Sequence, residues 1–75
     1  MTPYRDINGD SGISAYECGS DWISVQFKSG SVYTYRASRI GASNLATMQQ
    51  LASSGDGLNA FINTTQEVKN GYDPR

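Results

Sequence analysis

The chain has 75 residues, six Lys and Arg against seven Asp and Glu, a single cysteine and no histidine. That length makes one domain with a small core. No segment is long and apolar enough to span a membrane; the single cysteine rules out an internal disulfide, its isolation and the lack of histidine argue against a structural zinc site, and the lack of histidine excludes any histidine-based catalytic pair. The opening Met-Thr-Pro-Tyr-Arg-Asp lacks the apolar run of a signal peptide, so a cytoplasmic protein of a reducing compartment is expected.

Charge is unevenly placed. Residues 1–21 carry Arg5 against Asp6, Asp10, Glu17 and Asp21, a net −3. Residues 22–54 carry Lys28, Arg36 and Arg39 and no acid, a net +3. Residues 55–75 carry Lys69 and Arg75 against Asp56, Glu67 and Asp73, a net −1. Positive charge gathered in the middle of a weakly acidic chain can create a local anion site.

In chain order, residues 1–12 read as an irregular arm broken by Pro3, Gly9 and Gly12. Ile13 to Cys18 is an expected strand, followed by a turn at Gly19-Ser20-Asp21. Trp22 to Lys28 alternates Ile23, Val25 and Phe27 against Ser24, Gln26 and Lys28, and Ser31 to Arg36 forms a third strand after Ser29-Gly30. Two hairpin registers are open. A two-residue Ser29-Gly30 turn pairs Phe27 with Val32 and sets Tyr33 and Tyr35 with Ser24 and Gln26. A three-residue loop with Gly30 left-handed pairs Phe27 with Ser31 and sets both tyrosines with Ile23, Val25 and Phe27. The second gives the cleaner amphipathic sheet and is favoured, leaving Ser24, Gln26, Lys28, Thr34 and Arg36 on the outside.

The period then becomes helical, with Leu45, Met48, Leu51 and Ala52 on one face, Ser43 as N-cap and Gly55 as the terminating glycine. A shorter helix is expected from about Gly57 to Thr64, capped by Asp56 and facing inward with Leu58, Phe61 and Ile62. Residues 67–75, with Asn70-Gly71 and Pro74, read as a loop tail. The expected architecture is α+β: an antiparallel three-stranded β-meander followed by two short helices packed on one face.

The segments Ile13-x-x-Tyr16, Ile23-Ser24-Val25-Gln26-Phe27-x-Ser29-Gly30-x-Val32-Tyr33-x-Tyr35 and Leu45-x-x-Met48-x-x-Leu51-Ala52-x-x-Gly55-x-Gly57-Leu58-Asn59-x-Phe61-Ile62-Asn63 together resemble the KTSC domain. That family is named for the C-terminus of some lysyl-tRNA synthetases and also occurs as small free-standing bacterial and phage proteins. The resemblance places a KTSC-like domain at 13–66. It implies a small binding module, with RNA binding suggested by the synthetase context, and supplies no established active site.

Four groups of residues are candidate sites. Arg36, Arg39, Gly41, Ser43 and Asn44 surround the start of the first helix, where free N–H groups and two guanidiniums suit a phosphate, with no acid in the segment to oppose them. The reading against it is a capped helix with solvated arginines. Tyr33, Tyr35 or Trp22 can stack on a base; the tyrosines are more simply core, and Trp22 lies on the opposite face from Ile23, Val25 and Phe27. Asn59, Asn63 and Gln66 can read polar edges of a ligand or merely solvate a helix. Asp6-x-Asn8-x-Asp10, with Ile13 and Glu17, has calcium-loop spacing, but Ser11 stands where the loop needs glycine and no flanking helix is expected. No metal or other cofactor is assigned. Cys18 reads as a small half-buried residue.

Charge narrows the partner. A sequence-independent duplex binder relies on roughly six to ten phosphate contacts. Three central bases, Lys28 included, suit one to three phosphates. A nucleotide or a short, even cyclic, signalling oligonucleotide is therefore the expected ligand, and a phage-type sponge that sequesters such a signal is one concrete form. A single-stranded RNA or tRNA binder and a ligand-free protein–protein or homo-oligomeric scaffold are the alternatives. Homo-oligomerisation is expected of so small a domain.

Overall fold

The computed structural model describes residues 1–7 and 12–74. Its sheet has five antiparallel strands in chain order: β1 (Thr2–Pro3), β2 (Ile13–Cys18), β3 (Trp22–Phe27), β4 (Val32–Arg36) and β5 (Tyr72–Pro74). Four helices, α1 (Ala37–Ile40), α2 (Ala42–Ser54), α3 (Leu58–Thr64) and α4 (Gln66–Lys69), lie between β4 and β5. The α+β class stands. The expected three-stranded meander is the middle of a larger sheet, and the two expected helices are joined by α1 and α4. Among the described residues, no helix is long and apolar enough to cross a membrane.

The β3–β4 register follows the three-residue loop. Ile23 pairs with Tyr35, Ser24 with Thr34 and Val25 with Tyr33. The Phe27 N–H donates to the Ser31 carbonyl, and the Gly30 N–H to the Phe27 carbonyl, both at 2.8 Å. Gly30 has φ +97°, a conformation that glycine adopts without a Cβ clash. One sheet face therefore carries Ile23, Val25 and Tyr35 into the core. There they meet Ile40, Leu45, Met48, Ala52, Leu58, Ile62 and Val68 from the four helices.

Both ends of the chain differ from expectation for a common reason: isolated residues in each supply buried contacts that short-range pattern does not reveal. Residues 2–3 form β1 on the edge of β2. Tyr4 is buried, and its hydroxyl accepts the Leu58 N–H at 3.2 Å, serving the start of α3. Gly57, not Asp56, occupies the cap position of that helix and brings no side chain to it. The Ile7 N–H donates to the Gly55 carbonyl and an Arg5 guanidinium nitrogen to the Ser53 carbonyl, so Arg5 and Ile7 fasten this segment to the end of α2. In the tail, Val68 is fully buried on α4. Gly71 is so close to the Glu67 carbonyl and Ile40 that an added Cβ would lie 2.7 Å from each. That packing carries the chain back to pair β5 with β4.

Two outcomes follow from the buried tyrosines. Burial, then the neighbouring Tyr33 and Tyr72, pushes Tyr35 from its ordinary value near 10 up to about 12. The unfolded chain releases that proton first, so its contribution is intact below about pH 10 and is lost as pH rises through about 12. Thermal unfolding followed from about pH 9 to 12 should show the decline, and Tyr35→Phe should flatten it. Burial also raises Tyr4, which leaves a smaller residual slope. Separately, Tyr4→Phe removes the acceptor at Leu58 and should cost about 1–2 kcal/mol in a denaturant titration.

Candidate functional site on the open sheet face

Strand alternation sends Glu17, Trp22, Ser24, Thr34 and Arg36 to the face opposite the helices. Glu17 on β2, Ser24 on β3, Thr34 on β4 and Asp73 on β5 are cross-strand neighbours in one row. Trp22 and Arg36 pair in the next row. Together Glu17, Trp22, Ser24, Thr34 and Arg36 line an open groove of about 350 Å³, within the usual range for small-ligand sites.

Each wall has a local cause. Ser24 and Thr34 form the floor, only 1% and 3% exposed although no helix covers them. Their hydroxyls share a 2.8 Å hydrogen bond, as suits a close non-hydrogen-bonded backbone pair. Trp22 is half-buried because its indole lies on the hairpin glycine: a Cβ on Gly19 would fall 2.0 Å from Trp22 Nε1. The turn beneath is tied to α2 by Gln49, whose side-chain amide donates to the Gly19 carbonyl at 3.0 Å and the Trp22 carbonyl at 3.2 Å. Glu17 and Arg36 bring opposite charges to the rim. The result is an aromatic plane beside a guanidinium, a carboxylate acceptor and a hydroxyl floor.

The central cations are all engaged. Arg36 Nε lies 3.2 Å from Asp73 Oδ2, and an Arg39 terminal nitrogen 3.3 Å from Asp73 Oδ1. The absence of acids from residues 22–54 suggested arginines without a counter-charge, but β5 carries one to them across the sheet. Lys28 pairs with Asp6 at 3.2 Å and does not line the groove.

Other expected site residues lie elsewhere. Tyr35 is 2% exposed in the core. Tyr33 is half-buried on the same side, with ring centroids 5.5 Å from Phe27 and 4.5 Å from Tyr72. The Y-x-Y pair therefore faces away from Trp22 and Arg36. Ser43 is not an N-cap: Gly41 holds that position, and the Ser43 carbonyl accepts the Thr47 hydroxyl at 3.1 Å. The Asn44 amide donates to the Ile40 carbonyl at 2.7 Å, joining α1 to α2. Asn63 donates to Asn59 at 3.3 Å along α3, and Gln66 begins α4 on the surface. Neither group reaches the groove. Cys18 is an exposed free thiol rather than a half-buried residue. Of the calcium-like spacing, Asn8 and Asp10 lie outside the described residues. Glu17 is on a strand, and no metal-binding cluster of His, Cys, Asp or Glu occurs among the described residues.

Ser24, Thr34 and Asp73 are not among the candidates the sequence offers, and Glu17 is among them only through the calcium-loop spacing. The favoured register already placed Ser24, Thr34 and Arg36 outside, and the parity of β3 added Trp22. The β2 and β5 registers, which bring in the two acids, had no signal in the local pattern. No protein-family model matches this chain, and comparison with curated proteins and with solved structures yields no match.

The contact between Trp22 and Gly19 makes a direct prediction. Gly19→Ala must displace the indole and should shift Trp22 emission, with a stability loss of about 1–3 kcal/mol from overpacking. Fluorescence spectra and denaturant unfolding of the variant measure both.

Proposed function

We propose that the protein is a small, non-enzymatic binding module for a nucleotide or short oligonucleotide, and that its site is the open sheet face. The observation carrying this reading is the pairing of Trp22 with Arg36 over the Ser24–Thr34 floor in one groove. An aromatic face stacks on a base of any sequence, and a guanidinium recognises phosphate. Glu17 supplies an acceptor for a base amino group or a ribose hydroxyl. A base lying against Trp22 between Glu17 and Arg36 directs its phosphate toward the arginines and away from Glu17.

Several features favour a compact ligand over a long RNA. The chain has six bases against seven acids, and Lys28, Arg36 and Arg39 each have an internal carboxylate. Polyanion binding draws on many phosphate contacts. Sequestration of a nucleotide signal, as by a phage sponge, is one form that such binding would take. Membership of the KTSC family is part of this proposal and rests on the sequence pattern alone. A homo-oligomer is the second reading. The open face carries both Glu17 and Arg36, so a twofold pairing of two such faces can match opposite charges.

Trp22 is the only tryptophan, so its emission reports on the groove itself. Titration with nucleoside monophosphates, cyclic dinucleotides and short RNAs should change that emission saturably with the compact ligands. Trp22→Ala should abolish binding, read by calorimetry, while the protein stays folded. Native mass spectrometry of the same samples gives the number of chains per ligand. Dimers that bind none of the panel would replace the nucleotide reading with the scaffold.

A further inference from the structure

Asp73 sits between Arg36 and Arg39. It is one carboxylate bridged by two guanidiniums, one oxygen to each, at 3.2 Å to Arg36 and 3.3 Å to Arg39. The arginines come from different elements, the end of β4 and the middle of α1, and they converge on this one acid. Arg36 also lines the groove, so the cluster continues the site beyond its cationic rim. Two guanidiniums on one carboxylate leave a positive charge in excess, which a doubly charged phosphate monoester neutralises and a carboxylate does not. Such a phosphate also offers more acceptor oxygens to two planar donor forks.

We propose that Arg36 and Arg39 form a two-guanidinium phosphate site, occupied in the free protein by the Asp73 carboxylate, and that a phosphorylated ligand binds by exchanging with it. This rests on the open-face reading and names the ligand group and its internal competitor. The resting contacts are weak enough to exchange. Both arginine side chains are 53% exposed and Asp73 is 35% exposed, and ion pairs in such solvent-screened settings hold only weakly. The element that carries Asp73 is a three-residue edge strand, with a sheet neighbour on one side only. Its anchors lie elsewhere: Gly71 packs under Ile40 and Tyr72 on Tyr33. Turning the Asp73 side chain away leaves both anchors in place, so exchange does not require the sheet to open.

The test compares the wild type, Asp73→Asn and Arg39→Ala. Each is titrated through Trp22 emission with the nucleoside 5′-monophosphates and the unphosphorylated nucleosides, after circular dichroism has checked the fold. Removing the competitor should tighten phosphorylated ligands roughly three- to tenfold, and Arg39→Ala should weaken them by a similar factor. Nucleoside affinity should change much less in both variants. If the wild type binds phosphorylated ligands but Asp73→Asn binds them equally or less tightly, the exchange proposal is overturned and the open-face site stands. Should Asp73→Asn unfold, Arg39→Ala decides: unchanged affinity for phosphorylated ligands overturns the proposal. No binding by any protein to any ligand overturns the exchange and the open-face reading together.

Discussion

The structure depends on the register of one hairpin. Gly30, at φ +97°, closes a three-residue loop and pairs Phe27 with Ser31. Every later pair follows from that one. Ile23 meets Tyr35 and Val25 meets Tyr33 beneath the helices, while Ser24 meets Thr34 and Trp22 meets Arg36 on the other face. A slip of one residue would exchange the two sets, placing Tyr33 and Tyr35 in the groove and turning Thr34 and Arg36 toward the core. The buried Ser24–Thr34 hydroxyl pair reinforces the observed register, because it forms only when these residues are directly opposite.

The ends of the chain complete this frame and reset its electrostatics. Tyr4 reaches across to the start of α3, and β5 returns along β4. A chain this small gains much of its buried surface from such contacts. The two flanks are also where most acids lie. Folding brings Asp6 to Lys28 and Asp73 to Arg36 and Arg39. The segregated charge of the sequence therefore becomes a set of local pairs, and any anion entering the groove meets arginines that already hold a carboxylate.

How much of this could be read from the sequence depends on the range of the interactions. The β2–β4 meander, α2 and α3 are local patterns of period two or 3.6, and they were legible along with the favoured register. Gly55, left-handed at φ +80° after α2, was legible for the same reason. The flanking elements were not. β1 has two residues and β5 three, and each is specified by the edge it joins rather than by its own alternation. α1 and α4 have four residues each, too short for a period to show. Of the candidate site, Trp22 and Arg36 were accessible from strand parity. Glu17 and Asp73 were not, because their positions depend on the registers of β2 and β5. Tyr33 and Tyr35 drew attention as a motif, but they work mainly as core.

The central claim is that the hairpin register creates both the core and the open face, and nuclear magnetic resonance of the isotope-labelled protein tests it directly. Since Phe27 and Ser31 form a hydrogen-bonded pair, the close Hα–Hα contacts should fall at Ser24–Thr34 and Trp22–Arg36. Observing those two cross-peaks would establish the face that presents Trp22, Arg36 and the hydroxyl floor together. Cross-peaks at Val25–Thr34 and Ile23–Arg36 instead would mean the alternative two-residue turn, and the groove described here would not exist.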